Sequence, residues 1–202
     1  MAKVHITKKE AEKILKIKGR IRGLVITTLK DYIISQKGQD GIKKVEKRME
    51  KVGHPFEFKK LSSVKWYPAG FIQLVMLVIL DTFGWDDKKN FEIGYQAPIN
   101  SLLAKLMLRT FTSLEVAFKV TPKFWKNYTN LGEMNWVERD IKKRRAVLRL
   151  TNYPKINEAS YEYFRGYLKR IMEIMTKSKN VKVELTKSIY RGDSYDDFTF
   201  TW

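Results

Sequence analysis

The chain has no cysteine among its 202 residues, and this absence excludes several kinds of site at once. Disulfides, zinc–thiolate centres, iron–sulfur clusters and cysteine nucleophiles all need a thiol. Histidine is almost as scarce, because His5 and His54 are the only two. Two histidines alone cannot build a histidine-rich metal centre, so the sequence predicts no metal site.

Motifs of catalysis, secretion and membrane insertion are missing as well. The sequence contains no glycine-rich phosphate loop, no Gly-x-Ser-x-Gly elbow and no His-Glu-x-x-His helix. The longest apolar run, from Phe71 to Leu80, is interrupted by Gln73 and reaches only about half of a membrane span. The N-terminus lacks the apolar segment of a signal peptide. These absences predict a cytoplasmic protein without catalytic residues.

Positive charge is abundant by contrast, with 40 lysines and arginines against 22 acidic residues and a net charge of +18. Such a field attracts nucleic acid, anionic lipid or acidic protein. A lysine-rich or thermophilic host would give the same composition without a charged partner, and the basic residues are spread widely. Hydrophobic residues at 44% suffice for a core. We expect residues 1–202 to form one domain, with residues 1–18 as an N-terminal helical extension.

Apolar spacing and capping residues predict the elements in order. The predicted helices begin at Lys8 and then cover Arg20–Gln36, Gly41–Val52, Pro68–Phe83, a short stretch from Asp86 or Asp87 to Gly94, Ile99–Val116, a turn after Pro122, and Glu158–Thr176. The predicted strands are Glu133–Asp140, Arg145–Thr151, Val181–Tyr190 and a last strand in which Phe198, Phe200 and Trp202 face inward. Short links between the strands favour antiparallel pairing. The sequence therefore predicts an α+β fold, with a helix-rich N-terminal two-thirds packed on a small antiparallel sheet of two C-terminal hairpins.

Four local phrases occur in an order that resembles a known superfamily. They are Lys18-Gly19-Arg20-Ile21-Arg22-Gly23-Leu24, Trp66-Tyr67-Pro68, Phe91-Glu92-Ile93-Gly94 and Arg191-Gly192-Asp193. The superfamily includes the 4-vinyl-reductase-type small-molecule-binding domains, the haem nitric-oxide-binding domains, the TRAPP vesicle-tethering subunits and uncharacterised myxobacterial paralogues, which the chain resembles most. The resemblance implies helices and a sheet that enclose an apolar pocket, often in a homodimer formed through helices.

The chain also departs from these relatives at their functional positions. Ser188 and Asp196 stand where the vinyl-reductase-type domains carry cysteines. Residues 99–128 contain no histidine, although haem-binding relatives need an axial histidine there. Their Tyr-x-Ser-x-Arg propionate clamp also has no counterpart. The sequence therefore predicts no cofactor and argues against haem.

Two sets of candidate site residues follow. The resemblance suggests a ligand pocket among the aromatic and methionine side chains, although core packing is the default interpretation for any single member. The expected pocket residues are Trp66, Tyr67, Phe71, Met76, Leu80, Met107, Phe111, Phe118 and Trp125. The densest basic stretch lies at a hairpin tip and suits phosphate or anionic lipid, or else an exposed turn with charged strand ends. Its residues are Arg139, Lys142, Lys143, Arg144 and Arg145.

Three functions follow, in order of preference. The first is a non-enzymatic sensory domain that binds a small apolar ligand, with the buried helix at 68–83 carrying both the pocket and a homodimer interface. The second is a TRAPP-like adaptor that contacts acidic protein or anionic membrane. The third is nucleic-acid binding through the basic surface, which is disfavoured because the sequence shows no recognition helix or RNA platform.

Overall fold

The computed structural model describes residues 4–100 and 113–202, apart from the side chain of Asn100. Over these ranges the chain forms six α-helices and six β-strands. In order they are α1 (Lys8–Leu15), β1 (Arg20–Arg22), α2 (Leu24–Lys51), β2 (Trp66–Pro68), α3 (Ala69–Phe83), α4 (Asp87–Asn100), α5 (Leu114–Tyr128), β3 (Glu133–Asp140), β4 (Arg145–Thr151), α6 (Ala159–Thr176), β5 (Lys182–Lys187) and β6 (Asp196–Thr201). The predicted α+β class is confirmed.

The four C-terminal strands form one antiparallel sheet in the order β3-β4-β6-β5. The last strand, β6, is therefore central, and its Phe198 and Phe200 side chains are fully buried. Trp202 is partly buried and packs against the same cluster. Placing the C-terminus inside the sheet follows from the alternation of aromatic residues that the sequence shows.

A second, two-stranded sheet pairs β1 with β2 antiparallel, and the sequence did not predict it. Each of these strands has three residues, which is too short for an alternating pattern to be visible. The pairing matters because it joins the start of α2 to the start of α3. Ala69 N–H donates to the carbonyl of Gly19 at this junction.

Glycine and proline act differently in three of the helices. The predicted break in α2 is present at Gly38, whose φ of +62° interrupts the helix. The predicted end near Gly94 is wrong, because α4 continues through Gly94 and Pro98. A Cβ at Gly94 would overlap the Tyr163 carbonyl oxygen on α6, so this glycine serves close helix packing. The helix predicted over 99–116 lies largely outside the described residues, while Pro122 lies inside α5 and does not begin a helix.

The hydrophobic residues form two cores. The first core consists of α1, α2 and α3 with neighbouring loops, and it includes the buried run from Ile72 to Leu80. The second core lies between the four-stranded sheet and α6, and it includes Phe198 and Phe200. Since α3 is buried along most of its length, the expectation that it carries a dimer interface is corrected. No helix in the described part of the chain has both the length and the hydrophobicity of a membrane span.

Candidate ligand-binding cavity

A cavity of about 190 Å³ lies where the first core meets the second. Helices α2, α3, α5 and α6 contribute walls, and strands β3, β4 and β6 contribute side chains from the sheet. The walls are mostly aliphatic, aromatic and thioether groups. Its lining includes Leu24, Val25, Ile72, Met76, Phe124, Trp125, Met134, Trp136, Leu148, Phe164, Leu168, Met172, Met175 and Phe200.

Two of the nine expected pocket residues, Met76 and Trp125, line this cavity. Trp125 is fixed in place because its indole N–H donates to the Leu131 carbonyl at 2.9 Å. Met76 lies one turn beyond Ile72 on α3. Both were singled out in the sequence as members of a large aromatic and methionine set, and the structure brings them together from helices far apart in the chain.

The other expected residues that the structure describes lie outside the cavity lining, because they pack within the cores or on the surface. Leu80 is buried in the first core, one turn beyond Met76. Phe71 packs edge-on against Phe56. Tyr67 has its hydroxyl at 2.9 Å from the Ser62 amide, which donates to it.

The remaining members of the set are accounted for as follows. Trp66 lies beneath the Arg22 guanidinium, 4.8 Å from the ring centre. Phe118 packs on Trp136, with ring centres 4.6 Å apart. Met107 and Phe111 lie outside the described residues.

Most polar side chains in the cavity wall are hydrogen-bonded. Ser160 donates to the Gln73 side-chain carbonyl at 2.6 Å, which joins α6 to α3. The hydroxyls of Thr28 and Thr121 donate to carbonyls one turn earlier in their own helices. These groups are satisfied by the protein and leave the wall effectively apolar.

Tyrosines and Trp136 are the exceptions in this wall, and the sequence reasoning missed the tyrosines. Tyr128 ends α5, while Tyr163 and Tyr167 lie four residues apart on one face of α6, and all three line the cavity. The Tyr128 hydroxyl is buried without a hydrogen-bond partner among the described residues. Burial raises the pKa of Tyr128 to about 12, partly offset by the nearby positive charge of Arg22. The i, i+4 spacing of Tyr163 and Tyr167 was the available signal.

The basic hairpin tip between β3 and β4 is partly neutralised by its own acidic residues. Arg145 Nε lies 2.7 Å from Glu138 Oε1. Lys143 Nζ lies 3.5 Å from Asp140, whose carboxylate also accepts from the Lys143 amide. Arg139, Lys142 and Arg144 lie on the same hairpin. Contact with acidic protein, anionic lipid or nucleic acid remains a prediction.

The positions at which relatives were expected to carry cysteines form a tight turn instead. The Asp196 Oδ1 atom accepts from the Ile189 amide at 2.8 Å, and the Ser188 hydroxyl accepts from the Tyr190 amide at 3.2 Å. Gly192 has a φ of +102°, which a glycine adopts without strain. Asp196 is fully buried, and burial raises the pKa of its carboxyl. This corner therefore has a clear structural role.

Metal-binding groups of three or more histidine or acidic side chains are absent from residues 4–100 and 113–202. The absence of a metal site from the whole chain remains a prediction. Homodimerisation likewise remains a prediction.

Comparison with known proteins gives relatives by structure and none by sequence. No protein-family model matches the chain, and no curated protein matches it. Solved structures do match, among them an H-NOX protein from S. oneidensis in the Fe(II)NO ligation state, with a TM-score of 0.65 and 12% identity over 89% of this chain and 98% of that one. An Fe(II) unliganded H-NOX protein from K. algicida has a TM-score of 0.63 and 12% identity over 90% and 96%.

A third neighbour is an oxygen-binding H-NOX domain related to soluble guanylate cyclases, with a TM-score of 0.59 and 11% identity over 90% of this chain and 94% of that one. Others come from studies of haem distortion in the H-NOX family and of haem redox potential. The sequence-based prediction of no cofactor, with haem argued against, is therefore wrong as an exclusion, because neighbours that share this architecture are haem proteins. The kinship with vinyl-reductase-type and TRAPP proteins remains a prediction. The chain has the fold of the H-NOX domains.

Proposed function

We propose that this chain is a sensory domain that binds a small apolar molecule in the cavity between its two cores. The composition of the cavity wall is the observation that carries the proposal. Protein interiors are normally close-packed, so an apolar space of about 190 Å³ needs an explanation. An engineered apolar cavity of roughly 150 Å³ in another protein stays dry and takes up benzene. A molecule of one or two rings matches this cavity in size.

The wall is also suited to ligands of irregular shape. Four methionines, Met76, Met134, Met172 and Met175, contribute flexible thioether side chains to the lining. Methionine adapts to irregular apolar surfaces because its side chain is unbranched and polarizable. The proposal is one of binding without catalysis.

A ligand in this position would contact both cores at once. Ile72 and Met76 come from α3 in the first core, and Phe164 and Leu168 come from α6 in the second core. A ligand that binds only the folded arrangement stabilises it by mass action. Binding would therefore fix how the helical part and the sheet pack together, and this coupling is the basis of the proposed sensory output.

Haem is one candidate ligand, since the H-NOX neighbours include haem proteins. The phenols of Tyr128 and Tyr167 are of a type that holds haem iron in some proteins, and the walls are apolar. The described lining includes no histidine, and the space is smaller than the roughly 300–1,000 Å³ of typical cofactor sites. The residues present thus suit haem in polarity, and the walls would have to move apart to admit it.

The test uses the full chain and two probes, hemin and the hydrocarbon cumene. Hemin binding is followed by visible absorption, and cumene binding by the NMR shifts of labelled methionine methyl groups. We expect at least one probe to bind with one-to-one stoichiometry and to shift the methyls that line the cavity. The Val25→Phe variant adds bulk to the cavity wall and should weaken binding about tenfold or more.

A matched control separates the cavity from general effects of an added ring. The Val64→Phe variant makes the same substitution at a side chain that is 68% exposed and outside the lining, and it should bind as the wild type does. Absence of specific binding of both probes to the wild type would overturn the proposed function. Equal weakening by both variants would overturn the assignment to this cavity.

A further inference from the structure

Four tyrosines line the otherwise apolar cavity, and three of them come from α5 and α6. Tyr128 comes from the end of α5, and Tyr163 and Tyr167 come from adjacent turns of α6. None of the three hydroxyls makes a hydrogen bond in the described part of the chain, and that of Tyr128 is also shielded from water. We call these residues the tyrosine cluster.

Unpaired hydroxyls are unusual at such a place. Buried polar groups are nearly always hydrogen-bonded, because leaving them unpaired is unfavourable. The serine and threonine hydroxyls of the wall obey this rule, since Ser160 donates to Gln73 and Thr28 donates to its own helix. The tyrosine cluster therefore has hydrogen-bonding capacity that residues 4–100 and 113–202 do not use.

The electrostatics of the cluster make its members donors. Burial is the largest cause that raises the pKa of Tyr128, Tyr163 and Tyr167 alike, so each phenol keeps its proton at neutral pH. The pKa of Tyr167 is raised further by both of the other tyrosines. The positive charge of Arg22 partly offsets the rise in the pKa of Tyr128.

We propose that Tyr167, with Tyr128 and Tyr163 beside it, donates a hydrogen bond to an oxygen atom of the ligand. The cavity then selects aromatic carbonyl compounds over hydrocarbons of the same shape. This inference rests on the proposed function, because it requires that an apolar ring occupies the cavity. It adds the chemical class of the ligand and the residue that determines it.

Two probes of nearly equal shape test the proposal. Acetophenone and cumene differ mainly in that a carbonyl oxygen replaces a methyl group. Binding of each to the full chain is followed by the NMR shifts of labelled methionine methyls. A neutral hydrogen bond changes affinity by about three- to tenfold. We expect Tyr167→Phe to weaken acetophenone binding by this factor and to leave cumene binding within about twofold.

Three further variants test whether the effect on acetophenone binding is specific to Tyr167. Tyr128→Phe and Tyr163→Phe should weaken acetophenone binding less than Tyr167→Phe does, again without an effect on cumene. Tyr190→Phe removes a hydroxyl that is outside the lining and should change neither affinity. If both probes bind and no variant of the cluster discriminates between them, the inference is overturned and the proposed function stands. If neither probe binds the wild type, the inference is overturned, and hemin binding then decides whether the proposed function stands.

Discussion

The first core and the second core differ in how completely their polar groups are satisfied. In the first core, Asp81 accepts from the Ile6 amide at 3.1 Å and from Arg48 Nε at 3.0 Å, and Arg48 donates to the Ile6 carbonyl at 2.7 Å. Among the described residues, the buried side-chain atoms without partners all lie at position 90 or later. They belong to Asn90, Tyr128, Trp136, Tyr161, Arg170 and Asp196.

The difference indicates that the first core is mainly a scaffold and that the candidate site lies along the second core and the cavity. The Asp81, Arg48 and Ile6 groups of the first core are hydrogen-bonded to one another, as is expected where packing serves stability. The rule that buried polar groups are hydrogen-bonded is broken in the second core and along the cavity. The Tyr128 hydroxyl and the Trp136 indole N–H lie in the cavity wall without a hydrogen-bond partner among the described residues. Such departures are expected at functional sites, because a bound molecule can satisfy what the protein leaves open. The four predictions below test this comparison.

The largest loss of stability is expected for substitutions at the contact between α4 and α6, which joins the two cores. Gly94→Ala would place a Cβ against the Tyr163 carbonyl oxygen, and Gly166→Ala would place one against that of Phe91. Backbone atoms cannot move aside as side chains do, so each variant should lose about 3 kcal/mol of unfolding free energy. Urea denaturation measures the loss.

Gly53→Ala is the control for that pair, because a Cβ there meets nothing and only the φ of +91° is strained. It should lose about 1 kcal/mol. A comparable loss at all three glycines would mean that helix contact is not the reason for Gly94 and Gly166.

The next effect concerns the hydrogen-bond network of the first core. Arg48→Met removes the donors to Asp81 and to the Ile6 carbonyl while it keeps the length of the side chain. We expect a loss of about 2 kcal/mol, since hydrogen bonds to charged groups contribute about 1.5–3 kcal/mol. Lys43→Met, at an exposed ion pair with Asp40, should change stability by less than about 0.5 kcal/mol. Similar losses in the two variants would remove the contrast between the cores.

In the cavity, we expect a substitution that raises the free energy of unfolding instead of lowering it. Tyr128→Phe removes a buried hydroxyl without a partner and should stabilise the ligand-free chain by about 1 kcal/mol, because the cost of an unpaired group disappears. Thermal unfolding measures the change, and Tyr67→Phe is the control, since its hydroxyl accepts from the Ser62 amide and its loss should destabilise. A lower stability of the Tyr128 variant would show that its hydroxyl is structural.

The smallest expected effect is a change in the pH dependence of stability when Asp196 is replaced. Burial raises the pKa of its carboxyl above the unfolded value, so its contribution to stability is present at low pH and is lost as the pH rises through the folded pKa. D196N removes this dependence, and its stability relative to the wild type should increase from about pH 4 to pH 8. Denaturation at several pH values measures the trend.

Asp193 provides a control of opposite sign for the pH experiment. Its pKa is lowered, chiefly by the Ser188 backbone amide, which donates to the carboxylate at 2.8 Å. The stability from Asp193 is therefore present above the unfolded pKa and lost as the pH falls, so D193N should become relatively less stable with rising pH. Parallel trends in D193N and D196N would contradict the assignment of the raised pKa to burial of Asp196.

Much of the fold could be predicted where the pattern is local. The start of α1 at Lys8, the end of α3 at Phe83 and the bounds of β3 and β4 all match the structure. The continuation of α4 could not be predicted, since Gly94 looks like a helix end unless the close approach of α6 is known. The sequence predicted the apolar character of the cavity but not which residues line it. Met76 and Trp125 could not be distinguished in the sequence from Leu80 and Phe118, which are buried by packing instead.

The sequence by itself determined which segments become helices and strands, because apolar periodicity, caps and turn residues act over a few neighbouring positions. Only the tertiary structure decided where close packing fails and a cavity is left. Tyr128 and Tyr167 lie 39 positions apart in the chain, and their approach depends on the docking of α5 and α6 around the sheet. A space between helices is a property of distances among distant residues, which no local pattern records.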